Sequence, residues 1–329
     1  CLPNHHDPYN FVRNGIPLGP TSGYASQIVA DEAIRWLNNR DTSKPFFMYV
    51  CFHEPHEPIA TDPRFQAMYA MPDDPSTQDY YGNVSQMDES LGRILATLDD
   101  KGLRDNTLVW FTSDNGPART KWHNAGSAGP LREFKGNLYE GGVRVPGIIR
   151  WPGHIEPGRT SDVAVSGLDL LPTTCAITGI ALPNDREIDG ANVLPVLKGE
   201  GFQREKPLFW QYNFSQSPPK IAMRSGDWKI LAGLDAPVGK MFDEQFNETL
   251  KHGSPRHSEL YNLANDVRET TDLASSDPER LATMTAMLDA RFRDVQRECP
   301  TWPLWQHVDY EGPRIEWPNY QAKPLKPKR

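Results

Sequence analysis

Residues 107–152, TLVWFTSDNGPARTKWHNAGSAGPLREFKGNLYEGGVRVPGIIRWP, hold the side chains best suited to chemistry. Asp114 and Asn115 stand at the tip of an apolar run that reads as a buried strand. A carboxylate beside an amide carbonyl offers two hard oxygens to Ca²⁺ or Mg²⁺. Two ligands do not complete such a shell, so further oxygens must come from elsewhere. Gly116 allows a tight exit and Pro117 stiffens it. Taken alone, DNG is equally an ordinary turn; its place after a buried strand gives it weight. Lys135 follows in a polar, glycine-containing loop. A lysine near a cation site can hold an oxyanion and stabilise a departing group, and it also reads as a surface charge. Arg119, Lys121, His123 and Arg132 form a cationic set suited to an anionic, sugar-like ligand, with Arg119 and Lys121 equally readable as solvated charges.

A second group lies earlier. Residues 53–58, HEPHEP, follow the apolar run FFMYVCF at 46–52. Ionisable residues at the end of a buried strand are well placed for a crevice site in an open α/β sheet. His56 is the first choice there and His53 the second. The alternative is a proline-stiffened loop with histidines serving only as hydrogen-bonding groups.

The surrounding pattern supplies elements to hold these residues. QIVADEAIRWL (27–37) places Ile28, Ala33, Ile34 and Leu37 near one helical face, in a helix starting near Gly23 and ending before Pro45. FFMYVCF predicts a buried parallel strand. A long amphipathic helix is expected from Thr77 to Lys101, with Val84, Met87, Leu91, Ile94, Leu95 and Leu98 as its stripe and Gly102 as its cap. This alternation is that of a doubly wound α/β sheet. A short strand is expected at 163–165, a helix at 167–178 and a short helical segment at 189–199. Beyond residue 205, PLFWQY, IAMRSGDWKILA and HSELYNL predict an antiparallel sheet, and 278–293 predicts a helix packed through Leu281, Met284, Met287, Leu288 and Phe292.

Composition narrows the classes. The chain has 329 residues, 38% hydrophobic and 24% charged, as in a globular protein rather than a disordered one. A net charge of -8 argues against broad attraction to nucleic acid, while leaving room for a local anion pocket. No window approaches a membrane span, and the polar first fifteen residues show no signal peptide. The four cysteines, at 1, 51, 175 and 299, have neither metal nor disulfide spacing. Cys51 and Cys175 read as buried thiols.

PFFMYVCFHEPHEP (45–58), VWFTSDNGP (109–117), GPLREFKGNLYEGGVRVPGIIRWPG (129–153), RSGDWKIL (224–231) and ELYNLANDVRETTDLA (259–274) together resemble a formylglycine-dependent sulfatase of the arylsulfatase type, within the alkaline-phosphatase-like superfamily. Among sulfatases the chain looks nearest to those acting on sulfated sugars, including N-acetylgalactosamine-6-sulfatase-like enzymes. The resemblance implies a mixed α/β sheet flanked by helices, incomplete at its N-terminus, with a smaller C-terminal antiparallel sheet plus helix. It divides the chain into a catalytic portion at 1–204, a small subdomain at 205–299 and a Pro/Trp-rich extension at 300–329. It implies Ca²⁺ on Asp114 and Asn115 in preference to Mg²⁺, sulfate contact by Lys135, and a His56 hydrogen bond on the leaving-group side of the ester. His53, Arg119, Lys121, His123 and Arg132 are left as substrate-binding candidates.

The departures are as informative. The family's nucleophile is a Cys or Ser in a C/S-x-P-S/A-R motif, oxidised to formylglycine. Here the only C-x-P is Cys1-Leu2-Pro3, followed by Asn4 and His5, and it is rejected as nucleophile. The family's Asp-Asp metal ligands and Lys-x-His pair are also absent. About the first third of a complete sulfatase is expected to be missing, and this chain alone is expected to be inactive. The expected partners are a sulfated carbohydrate and the remaining portion of the enzyme, with no nucleic acid. The expected location is periplasmic or extracellular, where such polysaccharides lie. Two other readings stay open: a non-catalytic sulfated-glycan-binding or structural remnant, and a phosphoesterase of the same superfamily, against which FKGNLYEGG argues.

Overall fold

A computed structural model describes residues 5–70, 73–120, 125–235 and 251–299. These fall into two compact units, one within Cys1–Thr107 and Arg119–Gly126, the other within Leu108–Ala118 and Ser127–Gln306.

The first unit holds a small hairpin, β1 (Val12–Arg13) with β2 (Ile16–Pro17), and three helices, α1 (Ala25–Asn39), α2 (Pro63–Gln66) and α3 (Pro75–Asp100). α3 begins where Asp74 accepts from the Thr77 N–H at 3.0 Å and Pro75 takes the first position. It ends in a Schellman closure, the Leu103 N–H donating to Leu98 O at 2.9 Å beside Gly102. α1 packs against α3.

The buried face of α3 differs from the expected stripe. Ile94 and Leu98 are buried, but Val84 is exposed, and the N-terminal half instead buries Asn83, Gln86 and Ser90. The reason is polar demand from the segment after the histidine loop. Gln86 Oε1 accepts from Asp62 N at 2.8 Å, and the Asn83 amide donates to Ala60 O at 2.9 Å. Buried polar groups of this kind are retained only when hydrogen-bonded.

FFMYVCF is not a strand. A strand needs a neighbour to take its ladder hydrogen bonds, and none of the described segments pairs with it. Its side chains alternate: Phe47 is 71% and Tyr49 79% exposed, with Cys51 exposed on the same side. Cys51 is therefore no buried thiol, whereas Cys175 is one.

In the second unit, β3 (Val109–Thr112) pairs antiparallel with β4 (Gly147–Arg150), in register Val109↔Arg150 through Thr112↔Gly147. The connection between them carries the candidate residues and α4 (Glu140–Val143). α5 (Leu170–Thr178) and α6 (Leu194–Lys198) follow, with residues 163–165 irregular rather than extended in a sheet. Asp169, fully buried, anchors this region by accepting from Ala191 N at 2.8 Å and Arg204 Nη1 at 2.9 Å.

The C-terminal sheet is antiparallel throughout, in the order β5 (Leu208–Gln211), β6 (Ile221–Ser225), β7 (Trp228–Leu234) and β8 (Pro255–Asn262). The period-2 pattern sorts its faces. Ile221, Met223, Ile230 and Leu260 pack on α7 (Pro278–Glu298) through Met284, Leu288 and Phe292. Each such buried side chain is worth about 1.5–3 kcal/mol. Ala222, Leu231 and Tyr261 take the opposite face and pack on Leu138 and Tyr139. That second contact seats the loop carrying Lys135 on the C-terminal sheet.

Candidate functional site

The strand tip after β3 is stitched to the loop before α4 by backbone bonds. Gly116 N donates to Gly142 O at 3.0 Å, Lys135 N to Pro117 O at 2.9 Å, and Gly141 N to Arg132 O at 2.7 Å. The glycines are required by close approach. A Cβ on Gly116 would stand 1.8 Å from Gly141 O, and one on Gly141 would stand 2.2 Å from Glu133 O. The DNG and EGG triplets are thus two halves of one interlock, which brings Asp114, Asn115 and Lys135 into a single assembly.

Asp114 is exposed and Asn115 half-buried. Asp114 Oδ1 accepts from Asn115 N at 2.9 Å, while the Asn115 amide donates to Gly116 O at 2.9 Å. These bonds leave Asp114 Oδ2 and Asn115 Oδ1 as uncommitted oxygens, the donor chemistry a hard cation takes. The pair fits a portion of a Ca²⁺ shell. Among the described residues no group of three or more His, Cys, Asp or Glu side chains is disposed to hold a metal, so the pair is not a complete site.

Lys135 is half-buried, and its ammonium has no hydrogen bond or ion pair among the described residues. Arg132 is differently placed. Its Nη1 donates to Tyr261 Oη and to Glu269 O, both at 2.9 Å, and its guanidinium lies 3.7 Å from the Tyr139 ring centre. The Tyr139 hydroxyl donates to Glu259 Oε2 at 2.7 Å, and that of Tyr261 at 2.8 Å. Burial first, and the Glu259 carboxylate second, push both phenols well above their ordinary range. Arg132 therefore clamps the Lys135 loop to β8. Sequence reasoning gave no weight to Glu140, Lys229 and Glu269, which are buried together beneath this loop. The available signal was a lysine, Lys229, inside the apolar run DWKILA.

The histidine loop belongs to the first unit. His56 is exposed, with Nδ1 2.7 Å from Glu57 O. His53 is half-buried and its ring centre lies 5.1 Å from that of His5. His5, itself 5% exposed, is held below the usual histidine range by burial and then by His53. Glu54, between His53 and His56 in sequence, is buried and accepts from Ser26 N at 2.8 Å. No spacing rule links His5 to residues 53–56, so only the fold reveals that contact. Arg119 is exposed, and Lys121 and His123 lie outside the described residues.

A family model described as "Sulfatase" matches residues 3–180, and one described as "N-sulphoglucosamine sulphohydrolase, C-terminal" matches residues 134–298. Steryl-sulfatase of Rattus norvegicus is 38% identical over 285 residues, covering 82% of this chain and 48% of that protein. N-acetylgalactosamine-6-sulfatase of Homo sapiens is 36% identical over 199 residues, covering 59% of this chain and 37% of that protein. A crystal structure described as Ps i-CgsB in complex with k-i-k-neocarrahexaose superposes with a TM-score of 0.71 at 27% identity, covering 91% of this chain and 60% of that one. The chain thus spans half or less of the curated relatives it matches.

Proposed function

The chain belongs to the sulfatase family, and from that premise we propose that it supplies part of the active centre of a sulfuric ester hydrolase acting on a sulfated sugar or polysaccharide. Its fold is the alkaline-phosphatase-like α/β fold, with the C-terminal antiparallel sheet and helix described above. The observation that carries the reading is the interlock joining Asp114, Asn115 and Lys135. It joins two hard oxygens and an ammonium that has no partner among the described residues, through the backbone of one unit. That combination suits an ester whose oxygens carry negative charge.

Asp114 Oδ2 and Asn115 Oδ1 are the oxygens of this chain that would hold Ca²⁺, which when bound supplies positive charge to sulfate oxygens. Lys135 donates to the sulfate and stabilises or protonates the leaving oxygen. His56 acts on the leaving-group side of the ester. With its Nδ1–H directed at Glu57 O, Nε2 is the nitrogen left for that role. Arg132 holds the Lys135 loop. His53, Arg119, Lys121 and His123 are assigned to the sugar. The formylglycine of the family lies outside this chain's motifs, so no attack step is assigned to its residues. Residues 1–204 are taken as catalytic-domain sequence and 205–299 as a subdomain. A sulfated glycan substrate agrees with the names N-acetylgalactosamine-6-sulfatase and the neocarrahexaose complex, whereas steryl-sulfatase names a different ester; such a glycan lies in the periplasm or outside the cell.

The test is sulfate release from sulfated oligosaccharides by the longest product of the gene, supplied with Ca²⁺. Sulfate esters are expected to turn over faster than matched phosphate monoesters, and the opposite order would favour a phosphoesterase. Lys135→Ala is expected to lower kcat by about 10²–10³-fold, as for loss of a charge-stabilising donor. No release, with formylglycine confirmed by mass spectrometry, would overturn the assignment in favour of a glycan-binding protein without turnover.

A further inference from the structure

The stretches RSGDWKIL and ELYNLANDVRETTDLA take no part in the chemistry proposed so far, yet each places a charged side chain against Glu140. Lys229 is fully buried on the face of β7 that also carries Leu231. Its Nζ donates to Glu140 Oε1 at 2.9 Å. Glu269 Oε1 lies 3.0 Å from the same ammonium, an ion contact without hydrogen-bond alignment. The other oxygen, Glu269 Oε2, accepts from Glu140 N at 2.7 Å. Arg224 Nη1 stands 3.7 Å from Glu140 Oε2. A buried ammonium persists only where carboxylates meet it, so Lys229 fixes both glutamates.

Glu140 opens α4, and two of the three bonds that hold the site segments together fall on Gly141 and Gly142 beside it. Gly141 N binds Arg132 O, Gly142 O receives Gly116 N, and Lys135 N reaches Pro117 O. Taking the chain as a sulfatase, we infer that Lys229 is a positioning residue for the active centre: its ion pair with Glu140 holds the 132–142 loop, and with it Lys135, in register with Asp114 and Asn115. The C-terminal sheet thereby acts on the chemistry without touching substrate. A merely stabilising pair would be replaceable by apolar or neutral groups of similar volume; a positioning pair would not.

Lys229→Met alone leaves the Glu140 and Glu269 carboxylates buried without the ammonium between them. Lys229→Met with Glu140→Gln and Glu269→Gln neutralises all three groups, restores folding where the single variant fails, and therefore carries the test. In the folded triple variant, amide hydrogen exchange in peptides covering 113–118 and 132–143 is expected to quicken by about tenfold or more. The paired strands at Met223 and Ile230 keep their protection. The kcat for sulfate release is expected to fall by about tenfold or more, with KM little changed, because misplacement affects the transition state first. A folded triple variant with wild-type exchange in both peptides, or with wild-type kcat in an active enzyme, overturns the assignment. Faster exchange in a protein whose wild type releases no sulfate upholds the loop-holding role and removes the sulfatase reading instead.

Discussion

At the residue scale, the candidate site is governed by what glycine omits. Gly116 is a residue whose Cβ would occupy the space of the Gly141 carbonyl. Gly116→Ala must push the DNG loop off α4 or distort it. The expected cost is about 1–3 kcal/mol, the range for overpacking, read as a lower urea midpoint with an unchanged slope. Turnover is expected to fall as well, because the Gly116 N bond to Gly142 O is part of the register. A wild-type midpoint would show that the close approach is not real. The motif DNG was visible in the sequence as a turn with two ligand-type side chains. That it interlocks with EGG was not visible, because two glycine-containing segments 25 residues apart carry no periodic signal.

At the element scale, the interest lies in how β8 grips the Lys135 loop. Tyr139 and Tyr261 share Glu259, and Arg132 lies over the Tyr139 ring. Both phenols are raised above the ordinary value of about 10 by burial and by Glu259. The native state therefore holds these protons more tightly than the unfolded chain. Their contribution is complete below about pH 10 and is lost as pH rises beyond it. Denaturation measured from pH 8 upward should show stability falling above about pH 10, with a shallower fall in Tyr261→Phe. An alkaline limb identical in the variant would remove Tyr261 from the account. α3 teaches the complementary point. Its approximate span and its close at Gly102 were legible, while Asp74 and Pro75 start it two residues before the expected Thr77. Its buried face did not, since Asn83 and Gln86 are buried to satisfy Ala60 and Asp62.

At the scale of the whole molecule, the two units of the chain each carry an edge that ordinary globular proteins cover. Among the described residues, 46–52 join no sheet, Phe47 and Tyr49 are exposed, and β3 pairs with β4. Ile148 on β4 is 60% exposed. Contiguous apolar side chains on an unpaired extended segment bind hydrophobic dyes and each other. The 329-residue chain should therefore bind anilinonaphthalene sulfonate in its native state, and Phe47→Lys with Tyr49→Lys should reduce that binding substantially. Absence of dye binding by the unsubstituted chain would count against an uncovered edge. A net charge of -8 favours solubility without covering this surface.

The sequence by itself determined the local elements and the chemical inventory. Apolar periods fixed α1, α3, α7 and the strands of the C-terminal sheet, with Gly102 read as the close of α3. The resemblance of its motifs pointed to the family and singled out Asp114, Asn115, Lys135 and His56. These are short-range properties, set within one turn, one strand or one loop. The tertiary structure decided which of them share a frame. It left FFMYVCF outside the sheets of the described residues, buried polar side chains on α3, and turned Arg132 into a clamp. It also placed Lys229, from a strand some ninety residues downstream, beneath Glu140. Such contacts depend on burial and desolvation across distant segments, and a buried charge shows its partner only once the chain has closed around it.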